Sequence, residues 1–233
     1  MAANESTIYQ CVNDYFKEKR SRMDKFKLNE YSYRASLTID SDNFIYFSME
    51  SEIDLFDNVE VIKDSRIGQM VCDYGLKFHV SIPEWSDELY NKGFDLLLPF
   101  LMEQKVEFKI LKSNLKMSDQ TGQAGKDITI YANATPEKSL ENWTDLITGI
   151  TTILVKNGVP PGYLSEGVKQ KPESRITGCN YITYRYEKER NKKNVRLKTD
   201  PVASIKIEVP DQEKPKCYVR QDESPQSRVS LNP

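Results

Sequence analysis

The spacing of hydrophobic residues predicts three helices. An apolar residue recurs every three or four positions near the N-terminus, which predicts an amphipathic helix over 6–25 with Ser6 as its N-cap. The residues of this stripe are Ile8, Cys11, Val12 and Tyr15. A second helix is predicted over 84–103, with a bend near Pro99.

The third predicted helix opens at Thr135-Pro136 and ends at Gly158. Proline is favoured at the first helical position and glycine just after the last one, so Pro136 marks the start of this helix and Gly158 marks its end. Its predicted buried stripe consists of Leu140, Trp143, Ile147, Ile150 and Leu154.

Between the helices, apolar and polar residues alternate as they do in half-buried strands. Strands are predicted over 31–38, 44–49, 76–82, 106–111, 127–132 and 180–186. The order in the middle of the chain is therefore β-α-β-β-α-β. This order predicts an α+β fold, in which helices pack on one face of a mainly antiparallel sheet within a single domain.

Composition divides the chain into three regions. All ten glycines lie between Gly68 and Gly178, and five of the eleven prolines follow residue 200. We predict an N-terminal helix and strands over 1–69, a folded domain over 70–209 and a polar, disordered tail over 210–233.

The charge balance and the apolar runs exclude two classes of protein. The chain has 33 Lys and Arg against 35 Asp and Glu, a net charge of −2, which argues against general nucleic-acid binding. No apolar run approaches the roughly 18 residues of a membrane span. The first ten residues show neither the basic nor the apolar region of a secretory signal peptide.

Cysteine and histidine usage narrows the chemistry further. The four cysteines lie far apart in sequence, so none shows zinc-ligand spacing, and scattered thiols suit a reducing compartment. His79 is the only histidine, which rules out a multi-histidine metal site and leaves a histidine-dependent hydrolase possible only through that residue. The sequence therefore predicts neither a metal nor another cofactor.

Four predicted strands carry cationic or proton-transferring side chains on the face opposite their apolar residues. These side chains are Lys77, His79, Lys109, Tyr131 and Arg185. The same alternation assigns Tyr181 to this face. If the faces coincide, they form a cationic patch suited to a phosphate dianion. An ordinary half-solvated sheet exposes the same residue types, so alternation alone leaves both interpretations open.

The motifs around these residues, in their order and spacing, resemble the phosphothreonine lyases, the bacterial effector family of SpvC and OspF, to which lyase domains of lanthipeptide synthetases are related. The resemblance covers roughly 70–196. Its parts are Lys77-Phe78-His79-Val80-Ser81; Phe108-Lys109-Ile110, thirty residues after the histidine; a strand ending in Tyr131; a helix closing with Asn-Gly-Val at 157–159; and Tyr-Ile-Thr-Tyr-Arg at 181–185.

The resemblance implies a metal-independent carbon–oxygen lyase. It would remove phosphate from phosphothreonine or phosphoserine in a protein by β-elimination and leave a dehydroamino acid such as dehydrobutyrine. Lys109 would be the general base and His79 the general acid. The residues implied to bind the phosphate are Lys77, Tyr131 and Arg185, joined by Arg190 and Lys126.

Two positions depart from the family pattern. The family has an arginine ten residues before the tyrosine, where this chain has Thr121, and Lys126 or Lys116 is a candidate replacement. A lysine lacks the bidentate fork of an arginine. A second family arginine corresponds to Lys192, with Arg190 close by.

The biological setting stays open between alternatives. The resemblance implies an effector secreted without a signal peptide into the host cytosol, acting on phosphoproteins such as MAP kinases, and Lys19-Arg20-Ser-Arg22 followed by Phe26-x-Leu28 resembles a kinase docking peptide. The alternatives are a stand-alone lyase of lanthipeptide-type maturation, a catalytically weak phosphopeptide-binding module, and an α+β domain with an ordinary polar face. No nucleic acid or membrane is an expected partner.

Overall fold

The structure is a computed structural model of the chain. It describes residues 6–17, 19, 25–37, 44–49, 75–112, 125–132, 139–164, 167–168, 171–188, 193–194 and 200–215.

Three α-helices and eleven strands form the described part of the fold. The helices are α1 (Ile8–Phe16), α2 (Asp87–Glu103) and α3 (Leu140–Lys156). The strands are β1 (Lys25–Leu28), β2 (Tyr33–Leu37), β3 (Phe44–Met49), β4 (Leu76–Val80), β5 (Phe108–Leu111), β6 (Ile128–Tyr131), β7 (Gly167–Val168), β8 (Lys171–Pro172), β9 (Ser174–Arg175), β10 (Ile182–Lys188) and β11 (Lys193–Asn194).

One antiparallel sheet holds nine of these strands. Its order is β1-β2-β3-β5-β6-β4-β10-β11, and β9 also pairs with β10. Every ladder that joins two described strands is antiparallel. The predicted α+β class and the mainly antiparallel sheet are therefore confirmed.

The core lies between the helices and the apolar face of the sheet. Phe78 on β4 and Ile130 on β6 are fully buried, as are Leu97 on α2 and Ile150 on α3. The rings of Phe78 and Trp143 lie 5.4 Å apart, so α3 packs directly against β4. No helix within the described residues is long and apolar enough to cross a bilayer.

Helix α1 is shorter than the predicted helix over 6–25. Its N-cap is Thr7 rather than Ser6, because the Thr7 hydroxyl accepts the Gln10 backbone N–H. The buried face also differs from the predicted stripe: Tyr9, Val12 and Phe16 are buried, and the Tyr9 ring stacks on Phe94 of α2 at 4.4 Å. This aromatic contact fixes which side of α1 faces the core.

Serine side chains set the starts of the other two helices. Ser86 caps α2, which continues through Pro99, and Ser139 caps α3 in a reciprocal pair with Asn142. The predicted start at Thr135-Pro136 lies outside the described residues. In α3 the predicted stripe is buried except for Leu140, the first residue of the helix, which is 39% exposed.

The predicted strands are confirmed, and their observed ends lie within two residues of the predicted ones. Strand β1 and the short strands β7, β8, β9 and β11 were not predicted. Strand β1 contains Phe26 and Leu28, the hydrophobic pair of the docking-like motif, and both side chains pack partly buried against the core. The pair therefore belongs to the fold of the sheet edge.

The predicted tail begins too early. Within it, the Gln212 side-chain amide donates to the Gly178 carbonyl at 2.7 Å and its oxygen accepts the Asn180 backbone N–H at 3.0 Å. Together with a hydrogen bond from the Asn180 side-chain amide to the Glu213 carbonyl, these bonds attach residues up to 213 to the loop before β10. Residues 216–233 lie outside the described residues, so their disorder stays a prediction.

The Tyr9–Phe94 stack gives a test of how firmly α1 belongs to the core. Tyr9→Ala removes a buried ring and should lower the free energy of unfolding by about 3 kcal/mol in a urea titration. The matched control is Gln10→Ala on the exposed side of α1, which should change it by less than about 0.5 kcal/mol. Equal effects of the two variants would show that α1 is not docked as described.

Candidate active site

The register of the sheet brings the predicted polar residues together on one face. His79 of β4 lies opposite Thr183 of β10 on one side and Thr129 of β6 on the other. Thr129 in turn lies opposite Lys109 of β5. Since adjacent strands are about 4.8 Å apart, the backbones at His79 and Lys109 are separated by about 10 Å. His79 and Lys109 therefore lie in one cross-strand row on the same face of the sheet.

The row beside this one carries the other predicted residues. Lys77 of β4 lies opposite Arg185 of β10 and Tyr131 of β6. The Lys77 ammonium lies 5.2 Å from the centre of the Tyr131 ring, a cation–π distance. The two rows thus place Arg185, Lys77 and Tyr131 next to His79 and Lys109.

This face is less solvated than the sequence suggests. His79 is 1% exposed, and Thr129 and Thr183 are also buried. The segment that leads into β9 accounts for part of this cover, because it places Glu173 against the face with a fully buried side chain. The site is therefore a partly enclosed polar region, in which electrostatic interactions are stronger than on an open sheet.

The Glu173 carboxylate is the centre of this region. One oxygen, Oε2, lies 2.8 Å from His79 Nδ1 and accepts the Thr183 hydroxyl at 3.4 Å. The other oxygen, Oε1, lies 2.8 Å from Lys126 Nζ and accepts Arg185 at 3.2 Å. Two full positive charges and an imidazole thus converge on one anion.

These contacts shift two pKa values. Burial lowers the pKa of His79 from 6.5 to about 4; Glu173 opposes this, and Lys126 and Arg185 lower it further. Burial alone would raise the pKa of Glu173, but His79 and Lys126 outweigh it and bring the pKa to about 2. At neutral pH the site holds an ionised carboxylate and a neutral imidazole.

The surroundings of Lys109 are aromatic. Its ammonium lies 4.0 Å from the centre of the Phe44 ring, and Lys109 is paired in register with Tyr46. The Tyr46 hydroxyl donates to Glu107, and the Tyr46 and Tyr131 rings meet edge to face at 5.6 Å. Burial raises the pKa of Glu107. The Lys109 ammonium is therefore packed against the Phe44 ring, and the Tyr46–Tyr131 contact joins its row to the row of Lys77.

Some of the other candidate residues lie in the site and some do not. Lys126, predicted only as a replacement for the missing arginine, is 2% exposed and forms a salt bridge with Glu173 in the site. Arg190 and Thr121 lie outside the described residues. Tyr181 was wrongly assigned to the polar face: it precedes β10, is buried in the core and donates its hydroxyl to the Val159 carbonyl at 2.8 Å.

Glu173 is the residue that sequence reasoning missed. It lies between the two-residue strands β8 and β9, which are too short for an alternation pattern. The only available signal was electrostatic, since three basic or imidazole side chains brought to one buried face require an anion nearby.

Comparison with solved structures identifies the fold. OspF from Shigella flexneri, a type III effector and phosphothreonine lyase, superposes with a TM-score of 0.53 at 18% identity, over 89% of this chain and 88% of that one. The chain has the fold of a phosphothreonine lyase. SpvC from Salmonella (TM-score 0.47, 16% identity, 79% and 87% covered) and VirA from Chromobacterium violaceum (0.46, 14%, 86% and 95%) are also similar.

Comparison at the level of sequence gives a different result. No protein-family model matches the chain, and no curated protein matches it either. The shared phosphothreonine lyase fold is therefore carried by the arrangement of elements and not by overall sequence identity.

The electrostatics of the site can be tested on the single imidazole. We expect the His79 ring to titrate with a midpoint of about 4 in NMR spectra of histidine-labelled protein. Lys126→Met removes a positive charge that lowers the pKa of His79, so the midpoint should move upward. The control is Lys156→Met at the exposed end of α3, which should leave it unchanged. A midpoint near 6.5 in the unmodified protein would contradict the described burial.

Proposed function

We propose that this protein is a phosphothreonine or phosphoserine lyase, a carbon–oxygen lyase that eliminates phosphate from a phosphorylated protein without a metal. The observation that carries the proposal is the convergence of His79, Lys126 and Arg185 on one buried anion, in a face that also holds Lys77 and Lys109. The shared fold with OspF supports it.

The proposed phosphate site lies along the row of Arg185, Lys77 and Tyr131. The Arg185 side chain donates a hydrogen bond to Glu173 and is 10% exposed, so part of it stays accessible to solvent. Guanidinium and ammonium groups bind phosphate oxygens by charge-assisted hydrogen bonds. A phosphate placed between β10 and β4 would therefore contact two cations that the sheet already holds in register.

Lys126 is the proposed counterpart of the family arginine that is missing at Thr121. Its ammonium is buried and already binds a carboxylate oxygen, which shows that the position accommodates a cation against an anion. A lysine supplies a point charge without the planar fork of arginine. We therefore propose that it supports the site electrostatically, and that oriented binding of the phosphate depends on Arg185.

The proposed reaction balances as a two-proton β-elimination. Lys109, as a neutral amine, takes the proton from Cα, and the electron pair of that bond forms the double bond between Cα and Cβ. The bond between Cβ and the phosphate oxygen breaks as this happens. His79 gives a proton to the departing oxygen, and inorganic phosphate leaves with no water consumed.

The low pKa of His79 sets a condition on this mechanism. With a pKa of about 4 the imidazole is neutral in the ligand-free protein at pH 7, and a neutral ring whose Nδ1–H faces Glu173 has no proton on Nε2 to give. A phosphate dianion bound beside the ring favours the imidazolium. Substrate binding itself therefore converts His79 into the acid.

The proposed setting follows the sequence resemblance. We propose a bacterial effector that is secreted into the host cytosol and acts on a phosphoprotein such as a MAP kinase. OspF, whose fold this chain shares, is a type III effector. No described contact bears on the substrate protein, so this part depends on the resemblance to the effector family.

The direct test of the chemistry is the intact mass of a phosphothreonine peptide after incubation with the protein. We expect loss of phosphoric acid, which leaves dehydrobutyrine, and a rate at least 10²-fold lower for Lys109→Ala and for His79→Ala. The matched control is Lys25→Ala. Lys25 extends the cross-strand row of Lys109 through Tyr46 and Ser36, but lies three strands away and should leave the rate unchanged.

Two other outcomes of this experiment would contradict the proposal. Loss of HPO3 in place of phosphoric acid would mean hydrolysis to threonine. Binding of the peptide with no change of mass would favour the phosphopeptide-binding module.

A further inference from the structure

The two oxygens of Glu173 face different partners. Oε1 is bonded to Lys126 and Arg185, and Oε2 lies 2.8 Å from His79 Nδ1. The carboxylate is ionised because its pKa is lowered to about 2. An ionised carboxylate has no hydrogen to donate, so the hydrogen between the two groups must belong to Nδ1.

The backbone holds Glu173 in this place. The next two residues, Ser174 and Arg175, form β9 and pair with Tyr184 and Thr183 of β10. Pro172, the residue before it, restricts the chain on the other side. The carboxylate therefore reaches His79 from an anchored position beside the strand that also carries Arg185.

We propose that Glu173 is the positioning residue of His79: it fixes the ring as the Nδ1–H tautomer, leaves Nε2 for the substrate's phosphate, and stabilises the imidazolium that gives the proton away. This inference rests on the proposed lyase function and assigns a role to a residue that the family motifs around Lys77, Lys109 and Arg185 do not include.

Lys126 and Arg185 orient the Glu173 carboxylate. Because both cations bind Oε1, they hold that oxygen and leave Oε2 for the imidazole. The groups that set the charge of His79 are thus Glu173 on the segment before β9, Lys126 before β6 and Arg185 on β10. The carboxylate favours protonation of the ring, and the two cations oppose it.

Glu173→Gln provides a test with nearly the same side-chain shape. The one oxygen of glutamine should turn toward Lys126 and Arg185, because hydrogen bonds from charged donors are the stronger ones. The amide NH2 then faces Nδ1 and requires it to accept a hydrogen bond. The variant should therefore carry the ring hydrogen on Nε2, the opposite tautomer from the unmodified protein.

The single histidine makes this measurement unambiguous. In protein labelled with 15N-histidine, all imidazole signals come from His79. The couplings between the ring nitrogens and the carbon-bound ring protons distinguish the two tautomers. We expect Nδ1–H in the unmodified protein, Nε2–H in Glu173→Gln, and an unchanged spectrum in the control Glu141→Gln, whose carboxylate is exposed on α3. An Nε2–H tautomer in the unmodified protein would overturn the proposal without any variant.

Steady-state kinetics provide a second test of the role of Glu173. Glu173→Gln should lower kcat for the phosphothreonine peptide by about 10²-fold, with a smaller change in KM, because the imidazolium loses its stabilising carboxylate and a neutral ring is a poor acid even with its hydrogen on Nε2. Glu173→Asp keeps the charge and should retain the Nδ1–H tautomer and recover part of kcat. If Glu173→Gln unfolds, the aspartate variant and the tautomer of the unmodified protein still decide the question.

The two proposals fail in different ways. If the unmodified protein does not eliminate phosphate but shows the Nδ1–H tautomer, the lyase function is wrong and the Glu173–His79 pair stands as a structural feature only, which overturns the catalytic role. If elimination occurs and Glu173→Gln keeps both the tautomer and kcat, the lyase function stands and the inference about Glu173 is wrong.

Discussion

The site depends on a buried carboxylate held by two cations and an imidazole. Burial of an ion is costly, and a buried charge persists only where opposite charges and hydrogen bonds compensate for the lost water. Glu173, Lys126 and Arg185 compensate one another, with His79 and Thr183 completing the contacts of the carboxylate. Loss of Glu173 would remove the carboxylate that Lys126 and Arg185 share, and loss of either cation would leave the buried carboxylate with less compensation, so changes at these residues are expected to be coupled.

The antiparallel sheet explains how residues far apart in sequence reach this group. Strands β5, β6, β4 and β10 are adjacent, and side chains at paired positions of adjacent strands lie on the same face. His79 and Lys109, thirty residues apart in sequence, therefore belong to one row, and Lys77 and Arg185 to the next. The helices on the opposite face bury Phe78 and Ile130 and hold these strands in register.

The sequence predicted the parts of this arrangement that depend on periodicity. Alternation alone assigned Lys77, Lys109 and Arg185 to the polar face, and helical spacing predicted the buried face of α3. It failed where tertiary contacts decide. The face of α1 is set by the stacking of Tyr9 on Phe94, and Tyr181 enters the core because it precedes the regular part of β10. Glu173 lies in a connection between two very short strands, where neither periodicity nor a motif marks it.

The central claim is that this face binds the phosphate of a phosphorylated residue and presents it to His79 and Lys109. The most direct measurement is a crystal structure of Lys109→Ala with a bound phosphothreonine peptide. We expect the phosphate in contact with Arg185 and Lys77, with His79 Nε2 turned to the bridging oxygen and Glu173 retained on Nδ1. A phosphate bound away from the row shared by β4 and β10, or a His79 ring whose Nε2 faces the protein interior, would contradict the account.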